Sequence, residues 1–590
     1  MFESNICFTD DFECMVSVFS KKGTLVGEGK LVLSPKRIPK VEFDYHVIIS
    51  QFTKNTFFKC TSQKGNFTLL SCKVMNNCIF PKVVVKGEKK SCKFKKVSVL
   101  LQGMSEWMDS TGQFSITDNE IFRTREKKTF KSNIVLNEKR ITISNEHWCQ
   151  TKHHKENEHL IINHTLISFE CKSSSLLLSE VINLIQGIRT IFTLLLGFNL
   201  GVLYVLDRTY KSSNLSLYYA NNTPEESNVK RKIDCFVSSS YLFENGKWDR
   251  LFKEYFGHKS QTHEDIWMRV AGMFAFEGYW EYQLLAYVSL LDCYVSLFAK
   301  EYDNKLSNSQ FRKVCREIKS YIKEKSETEV VESVNIKVYN SIAQQLQSIE
   351  NSRFSSFGEK FEFKCSKTDK QIINIIDLTA NDFGHLKKIR NSIAHGDSPK
   401  LKDNGDITYE MMLSKKVDLL LRYWTFCDLG FNKLDYVRFL NNCMYPITRE
   451  ARLNQFELDI ATGNYVYLNT NNTNYKRAKK QSLGQLVMQY DELEDIFRFN
   501  NMASSALANW YKESDYNSVE AKLMSVVDTG VIKSIVYLNN GYVTCNHDSF
   551  KVEGGMCVLN APDYFFQFES INNRRCLFND ESNSWVQSKL

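Results

Sequence analysis

The sequence predicts a multidomain α+β protein: a β-rich N-terminal domain, a central all-α helical bundle and a mixed α/β C-terminal region. Three observations predict this class. Residues 1–170 are rich in β-branched residues that alternate with polar ones. From about residue 266 apolar residues recur at helical spacing, and after residue 431 both patterns occur. At roughly 150 residues per domain, the 590 residues suffice for several units.

We expect four parts. Residues 1–210 form a sensing or regulatory domain, and residues 211–265, which are polar and rich in Asn and Ser, form a connecting region. Residues 266–430 form the helical bundle, and residues 431–590 form the mixed C-terminal region.

Composition excludes a disordered or fibrous chain. The apolar fraction is 43% and the net charge is only +8, with 24% charged residues, which is milder than a compact nucleic-acid-binding domain usually shows. The 17 cysteines are scattered and odd in number and form no CxxC, so they indicate reduced thiols in a cytoplasmic protein. The N-terminus is acidic, and we expect no secretory signal.

The strands of the N-terminal domain are predicted at 41–50, 66–74 and 139–147, where β-branched residues alternate between turn residues. Residues 190–206 carry no charge but fall short of a membrane span. The sequence predicts a helix that ends near Gly197 and then a buried strand over 202–206. A membrane-associated sensor that uses 176–206 is the alternative.

The bundle is predicted as a long helix over 277–300 followed by shorter ones. Its remaining helices are expected at 309–325, 336–350, 381–395 and 409–428, close enough in sequence to pack as an antiparallel bundle. Beyond residue 431 the apolar spacing predicts helices at 482–498 and 503–525 and a strand at 531–538.

The segment 378–399 (LTANDFGHLKKIRNSIAHGDSP) is the most informative. Thr379 and Asp382 fit a capping box that starts a helix, and Gly396 and Pro399 fit its end. His395 therefore falls in the last turn, where the helix dipole favours a protonated imidazole.

Three polar residues of this helix combine a cation, an amide and a titratable imidazole. Asn391 and His395 are neighbours at i and i+4, and Arg390 lies about 100° round from Asn391, towards the apolar side. An Arg can bind a phosphate and stabilise charge in the transition state, and a His can move protons near neutral pH. These groups fit metal-independent cleavage of a phosphodiester.

The motif Arg390-Asn391-Ser-Ile-Ala-His395, at the end of one helix of a short bundle, resembles the RNxxxH signature of HEPN ribonucleases. A β-rich front joined to such a bundle is similar to the ApeA-like branch of anti-phage abortive-infection proteins. The motif covers six residues and the bundle about a quarter of the chain.

The resemblance implies a metal-independent endoribonuclease in which the 2′-hydroxyl attacks the phosphate and leaves a 2′,3′-cyclic phosphate and a 5′-hydroxyl. Arg390 would steady the phosphate, His395 would transfer protons and Asn391 would orient the site. Some members add an acidic residue from the first bundle helix, and Asp292, amid apolar neighbours, is the candidate, since a buried carboxylate needs a partner such as a site Arg. Two further residues of the motif helix are predicted to contact RNA: Lys387 and Lys388.

The resemblance also implies a homodimer through the bundle, an RNA substrate that is tRNA or mRNA, and a phage-encoded trigger. No cofactor, no metal and no membrane are predicted. One alternative is that Arg390 pairs with Asp292 only to hold the bundle while His395 caps a helix. The protein would then be a non-catalytic dimerisation or RNA-binding module in a sensor.

Four weaker patterns remain. Histidines and cysteines within 147–171 could hold zinc, with His147, Cys149 and two of the others as ligands. However, their spacing matches no common zinc module, and the segment 147–159 is typical of a charged, exposed connection. The basic run 476–480 could touch an RNA backbone or be solvated surface, and the aromatics of 563–570 are expected in a strand core, with base stacking as the alternative. Four cysteines are expected as small core residues on strands: Cys60, Cys72, Cys78 and Cys92.

Overall fold

The chain forms two compact units, Met1–Arg452 and Leu453–Leu590. The computed structural model describes residues 5–588, apart from the following stretches: 36, 44–55, 90, 109–113, 117–120, 124–127, 156–157, 211–212, 222–234, 258–259, 277, 303–305, 329–332, 346–350, 352–355, 404, 444–445, 464, 482–485, 513–521, 524, 528–531, 547, 563–573 and 580–583.

The N-terminal part of the first unit is built on β-strands, as the alternating sequence predicts. The strands are β1 (Phe12–Ser20), β2 (Leu25–Ser34), β3 (Arg37–Glu42), β4 (Phe57–Ser62), β5 (Gly65–Leu70), β6 (Lys73–Met75), β7 (Cys78–Phe80), β8 (Val83–Lys86), β9 (Lys93–Phe94), β10 (Lys96–Leu101), β11 (Phe114–Ile116), β12 (Ile121–Arg123), β13 (Lys131–Leu136), β14 (Lys139–Lys155), β15 (Glu158–Glu170), β16 (Leu176–Leu177), β17 (Val202–Tyr210) and β18 (Ser213–Tyr219).

Fourteen of these strands make one antiparallel sheet in the described part of the chain, in the order β13-β14-β15-β10-β17-β18-β8-β5-β4-β1-β2-β3-β7-β6. In β1 buried and more exposed residues alternate, so one face of the strand meets the core. The segment 147–159, expected as an exposed connection, instead belongs in its described part to the paired strands β14 and β15.

The α-helices of the first unit lie between and after these strands in the sequence. They are α1 (Met104–Met108), α2 (Leu178–Leu196), α3 (Ser239–Glu244), α4 (Trp248–Tyr255), α5 (Ser260–Gly272), α6 (Trp280–Glu301), α7 (Asn308–Thr328), α8 (Ser333–Gln345), α9 (Phe357–Ser366), α10 (Lys370–Ile376), α11 (Ala380–His395), α12 (Thr408–Asp428), α13 (Lys433–Asn442) and α14 (Pro446–Glu450).

The apolar stretch after residue 176 folds as the sequence predicts. Helix α2 ends at Gly197, which adopts a left-handed conformation (φ 80°) and donates its N–H to Thr193 O, and β17 then begins at Val202. Two described helices, α2 and α6, are long and apolar enough to cross a bilayer. However, 72% of the apolar window of α2 and 44% of that of α6 lie buried inside the protein.

Helix α6 is the centre of the bundle and packs against α5, α9, α11 and α12. Tyr294 of α6 stacks on Trp424 of α12 with ring centroids 5.2 Å apart, and its buried hydroxyl donates to the Asp428 carboxylate. Since a buried phenol needs an acceptor, this contact fixes how α6 and α12 meet.

The second unit contains a sheet of seven strands among the described residues, in the order β21-β20-β23-β22-β24-β25, with β19 beside β22. β19 runs parallel to β22, and β20 runs parallel to β23. Its elements are α15 (Gln455–Thr462), β19 (Val466–Asn469), α16 (Asn472–Lys479), β20 (Leu486–Asp491), β21 (Ile496–Phe499), α17 (Asn501–Lys512), β22 (Ser534–Cys545), β23 (Asp548–Leu559), β24 (Arg574–Asn579) and β25 (Ser584–Ser588).

The helix predicted over 482–498 is wrong, because β20 and β21 occupy its described part. Leu486 and Met488 enter one hydrophobic core and Val487 enters another, so the run of apolar residues faces both sides of a sheet. The helix predicted over 503–525 starts at Asn501, and α17 ends at Lys512. The aromatic segment 563–570 lies outside the described residues.

The predicted class, a multidomain α+β protein with a β-rich front, a helical middle and a mixed tail, is confirmed. The stretch 211–265, expected as a connection, contains β18, α3, α4 and the start of α5. The division of the sequence into four parts stays a prediction.

Candidate active site

Helix α11 carries the motif, and local interactions define both of its ends. The Thr379 hydroxyl accepts the N–H of Asp382 at 3.2 Å, and the Asp382 carboxylate accepts the N–H of Thr379 at 3.0 Å, which is the predicted capping box. Gly396 ends the helix with φ 80°, where a side chain would be strained. His395 is therefore the last residue of α11.

The Arg390 side chain is held between two partners. Its Nη2 donates to Asp292 Oδ2 of α6 at 3.4 Å, and its Nη1 donates to Asn391 Oδ1 at 3.2 Å. The Arg390 and Asp292 side chains are 36% and 29% exposed, so the ion pair lies at the edge of the bundle. The partner expected for Asp292 is thus present, whereas the catalytic roles of these residues stay predictions.

The hydrogen-bond network around Arg390 continues onto α9, a helix that was not predicted from the sequence. Ser296 Oγ, one turn beyond Asp292 on α6, donates to Asp292 Oδ1 at 3.3 Å. Lys360 Nζ donates to Ser296 Oγ at 3.3 Å. Ser296 therefore links a second cation to the carboxylate that holds Arg390. A spacing of i and i+4 between Asp292 and Ser296 was the one signal in the sequence that could have pointed to this extension.

His395 is exposed, and its imidazole has no hydrogen-bond partner within the part of the chain that the structure describes. Asn391, one turn earlier, is exposed as well. The structure therefore brings Arg390, Asn391 and Asp292 together and leaves the imidazole open to solvent at the end of the helix.

The two lysines predicted to contact RNA differ in their exposure to solvent. Lys387 is half-buried, with its ammonium 5.3 Å from the centre of the Phe383 ring, a cation–π distance. Lys388 is exposed. Both stay predicted RNA contacts.

A second polar cluster fastens α11 to α12. His385 Nε2 lies 2.7 Å from Glu410 Oε1, and this fully buried carboxylate also accepts the N–H of Lys402 at 3.0 Å. The Tyr409 hydroxyl donates to the Asp382 carboxylate. The loop that follows His395 is thereby anchored to the motif helix, which the sequence reading did not anticipate.

The electrostatics of this cluster favour ionised Asp382. Burial by itself would raise the pKa of this carboxyl, but hydrogen bonds from Tyr409 and from the main chain and side chain of Thr379 hold the pKa below its usual range. The N-terminal end of the motif helix therefore carries a fixed negative charge near neutral pH, where the helix dipole also favours one.

No group of three or more metal-ligating side chains occurs among the described residues. His147 uses both ring nitrogens in hydrogen-bond contacts, Nδ1 with Thr165 Oγ1 at 3.1 Å and Nε2 with Asn145 Nδ2 at 3.0 Å. The structure does not describe the side chains of His153, His154 and His159.

The cysteines expected in the core divide into two kinds. Cys60 and Cys72 are buried, and burial raises the pKa of both thiols, as expected for core residues. Cys78 and Cys92 are half-buried. In the basic run, the side chains of Lys476, Arg477, Lys479 and Lys480 are exposed on or next to α16, so contact with RNA stays a prediction.

Comparison with known protein families identifies both the helical region and the β-rich region. The helical region matches the Apea-like HEPN family model over residues 285–435, a range that includes Asp292, Arg390 and His395. The fold and site thus define a HEPN-domain protein. The β-rich region matches ApeA N-terminal domain 1 over residues 22–252.

With both regions in this order, the chain belongs to the ApeA-like HEPN proteins. This membership supports a role in anti-phage defence. No curated protein and no solved structure is significantly similar to the chain.

Proposed function

We propose that the protein is a metal-independent endoribonuclease that acts in anti-phage defence by abortive infection. The observation that carries the proposal is the half-exposed Arg390, held by Asp292 and Asn391 at the bundle edge, on the helix that ends at the exposed His395. A guanidinium so held keeps N–H donors in a fixed place, which is what stabilising a charged phosphorane requires.

The reaction is a transesterification. The 2′-hydroxyl oxygen attacks the adjacent phosphorus and gives up its proton, the bond from phosphorus to the 5′-oxygen breaks, and that oxygen takes up a proton. The products are a 2′,3′-cyclic phosphate and a 5′-hydroxyl. Arg390 binds the phosphate, His395 transfers protons, Asn391 and Asp292 orient Arg390, and Lys387 and Lys388 contact neighbouring phosphates.

A homodimer through the bundle completes the site in this proposal. The resemblance to HEPN ribonucleases implies such a dimer, and the exposed His395 has no hydrogen-bond partner among the described residues. A second copy can therefore supply the facing groups of a shared cleft.

In the cell we place the enzyme in the cytoplasm, where the scattered reduced cysteines fit. The β-rich domain would hold it inactive until a phage-encoded trigger releases it. The substrate class is RNA, tRNA or mRNA.

The test is to incubate purified protein with total RNA in EDTA and to look for fragments that end in a cyclic phosphate. Arg390→Ala should lower the cleavage rate by about 10²–10³-fold, and His395→Ala should also lower it strongly. Arg498→Ala is the matched control, because Arg498 is also a partly exposed, ion-paired arginine, held by Asp491 at 2.7 Å in the second unit.

Cleavage and phage protection that both persist in the two motif variants at normal protein levels would refute the assignment. If the unaltered protein binds RNA but never cleaves it, with tRNA and mRNA both tried, the non-catalytic module is the correct reading.

A further inference from the structure

Helices α7 and α8 form an arm on the bundle. The arm follows α6 in the sequence and precedes α9. Its two ends are joined by Asn351, whose side chain accepts the N–H of Leu306 at 3.1 Å and donates to Leu306 O at 2.7 Å. The two helices pack on each other. Among the described side chains of α7 and α8 none is buried, so the arm is a surface element.

Cations line one side of α7. The helix carries six Lys and Arg against three Glu. Arg312, Arg316, Lys319 and Lys323 recur at i, i+4, i+7 and i+11, which places them within about 60° of one another over about 17 Å of helix. We call these four residues the basic stripe.

Three of the four stripe residues form no ion pair with a carboxylate in the described part of the chain. Glu317 pairs at 4.0 Å with Lys313, which lies on another side of the helix. Arg312, Arg316 and Lys319 have no carboxylate within ion-pair distance in the described part of the chain. Arg316 Nε instead donates to Arg312 O at 3.2 Å.

We infer that the basic stripe binds the phosphate backbone of single-stranded RNA and leads it to the Arg390 site; this inference rests on the proposed function. A line of cations along a helix is complementary to an RNA backbone, which carries one negative charge at each nucleotide. The arm grows from α6 and re-enters α9, the two helices that carry Asp292 and Lys360.

The place of the arm in the chain favours RNA over an anionic membrane, because the arm lies between α6 and α9, whose Asp292, Ser296 and Lys360 form the network at Arg390. The exposed apolar residues of α7 lie on the side opposite the stripe. Helices that lie on membranes share this pattern, so binding to phosphatidylserine vesicles is measured beside binding to RNA.

The experiment measures binding of a short fluorescein-labelled single-stranded RNA by anisotropy, in the His395→Ala background so that the probe stays intact. The stripe variant is Arg312→Gln/Arg316→Gln. The matched control is Lys313→Gln/Lys325→Gln, which removes the same charge from other sides of the same helix.

If each cation meets one phosphate, the slope of log K against log salt becomes shallower by about 1.4 in the stripe variant, or about 0.7 per contact. Taking 1 M salt as the point where this advantage vanishes, the affinity falls about 60-fold at about 50 mM salt and about tenfold at about 200 mM. The control should change by less than about threefold. Arg312→Lys/Arg316→Lys keeps the charge and should bind nearly as well as the background, which shows that the charge and not the guanidinium is required.

Equal weakening in the stripe variant and the control, or none in either, would overturn the inference. So would a stripe variant that loses binding to phosphatidylserine vesicles, or to an acidic protein, while it binds RNA normally. The two proposals fail separately: RNA binding that depends on the stripe without any cleavage by the unaltered protein refutes only the nuclease, and cleavage that is indifferent to the stripe refutes only the stripe.

Discussion

Replacing Arg390 by Ala separates a catalytic arginine from one that merely holds the bundle. The Arg390–Asp292 pair has a single contact at 3.4 Å between side chains that are 36% and 29% exposed. Ion pairs with this much solvent contribute about 1 kcal/mol or less. We therefore expect Arg390→Ala to lower the melting temperature by less than about 4 °C.

The same unit offers a buried pair for comparison. Arg422 and Asp418 are 1% and 4% exposed, and they meet in two hydrogen bonds, Nε to Oδ1 at 2.9 Å and Nη2 to Oδ2 at 2.8 Å. Arg422→Ala would leave the Asp418 charge buried without this partner, which costs about 3–5 kcal/mol. The two substitutions remove the same side chain from opposite environments.

The assay pairs thermal melting with RNA cleavage on the same preparations. Arg390→Ala should keep nearly all of the stability and lose cleavage by about 10²–10³-fold, the usual loss for one donor to transition-state charge. If Arg390→Ala instead destabilises the protein as much as Arg422→Ala does, or if it cleaves at the original rate, the guanidinium is only a packing element and the reasoning fails.

Three further predictions concern Lys360 beside the site, the cap of α11 and two glycines within helices. Lys360→Ala removes the contact to Ser296 and should lower the cleavage rate less than Arg390→Ala does in the same RNA assay; an equal loss would mean that Lys360 itself contacts the reacting phosphate. The ionised form of Asp382 stabilises α11 above about pH 4, and this contribution is lost as the pH falls through its lowered pKa. Between about pH 6 and 3 the melting temperature of Asp382→Asn should therefore fall less than that of the unaltered protein. Identical melting curves would contradict the hydrogen-bond account. Gly187→Ala should cost about 1–3 kcal/mol in thermal unfolding, because a Cβ there would meet the Phe256 ring at 2.8 Å. Gly384→Ala, in open space on a helix, should stabilise the protein by up to about 1 kcal/mol. If Gly384→Ala is instead the less stable of the two variants, steric room around the glycine does not determine the effect.

The sequence predicted the motif helix because the forces that define it are local. Thr379 and Asp382 cap each other within one turn, Gly396 stops the helix, and the 3.6-residue period places Arg390 and Asn391 on adjacent faces. The resemblance to HEPN ribonucleases, rather than any local spacing, suggested Asp292 as a partner of Arg390. The pair forms, but the carboxylate is 29% exposed and not buried as its apolar neighbours in the sequence had indicated.

Other features depended on contacts between distant segments. The residues at 482–498 carry a pattern that a helix and a doubly buried strand share, and the position of β20 between β21 and β23 decided for the strand. Lys360 entered the site only because α9 packs on α6. The link between His385 and Glu410 spans 25 residues, and no local spacing encodes it.

The amino-acid sequence by itself determined where the helices cap, which face each residue takes and which chemical groups the motif offers, because these follow from contacts within one or two turns. The tertiary structure alone decided which of those groups meet across the bundle, which stay in water and that α7 and α8 remain an exposed arm. The reason is that burial belongs to the packing of segments far apart in the chain, and its free energy is not contained in any one of them.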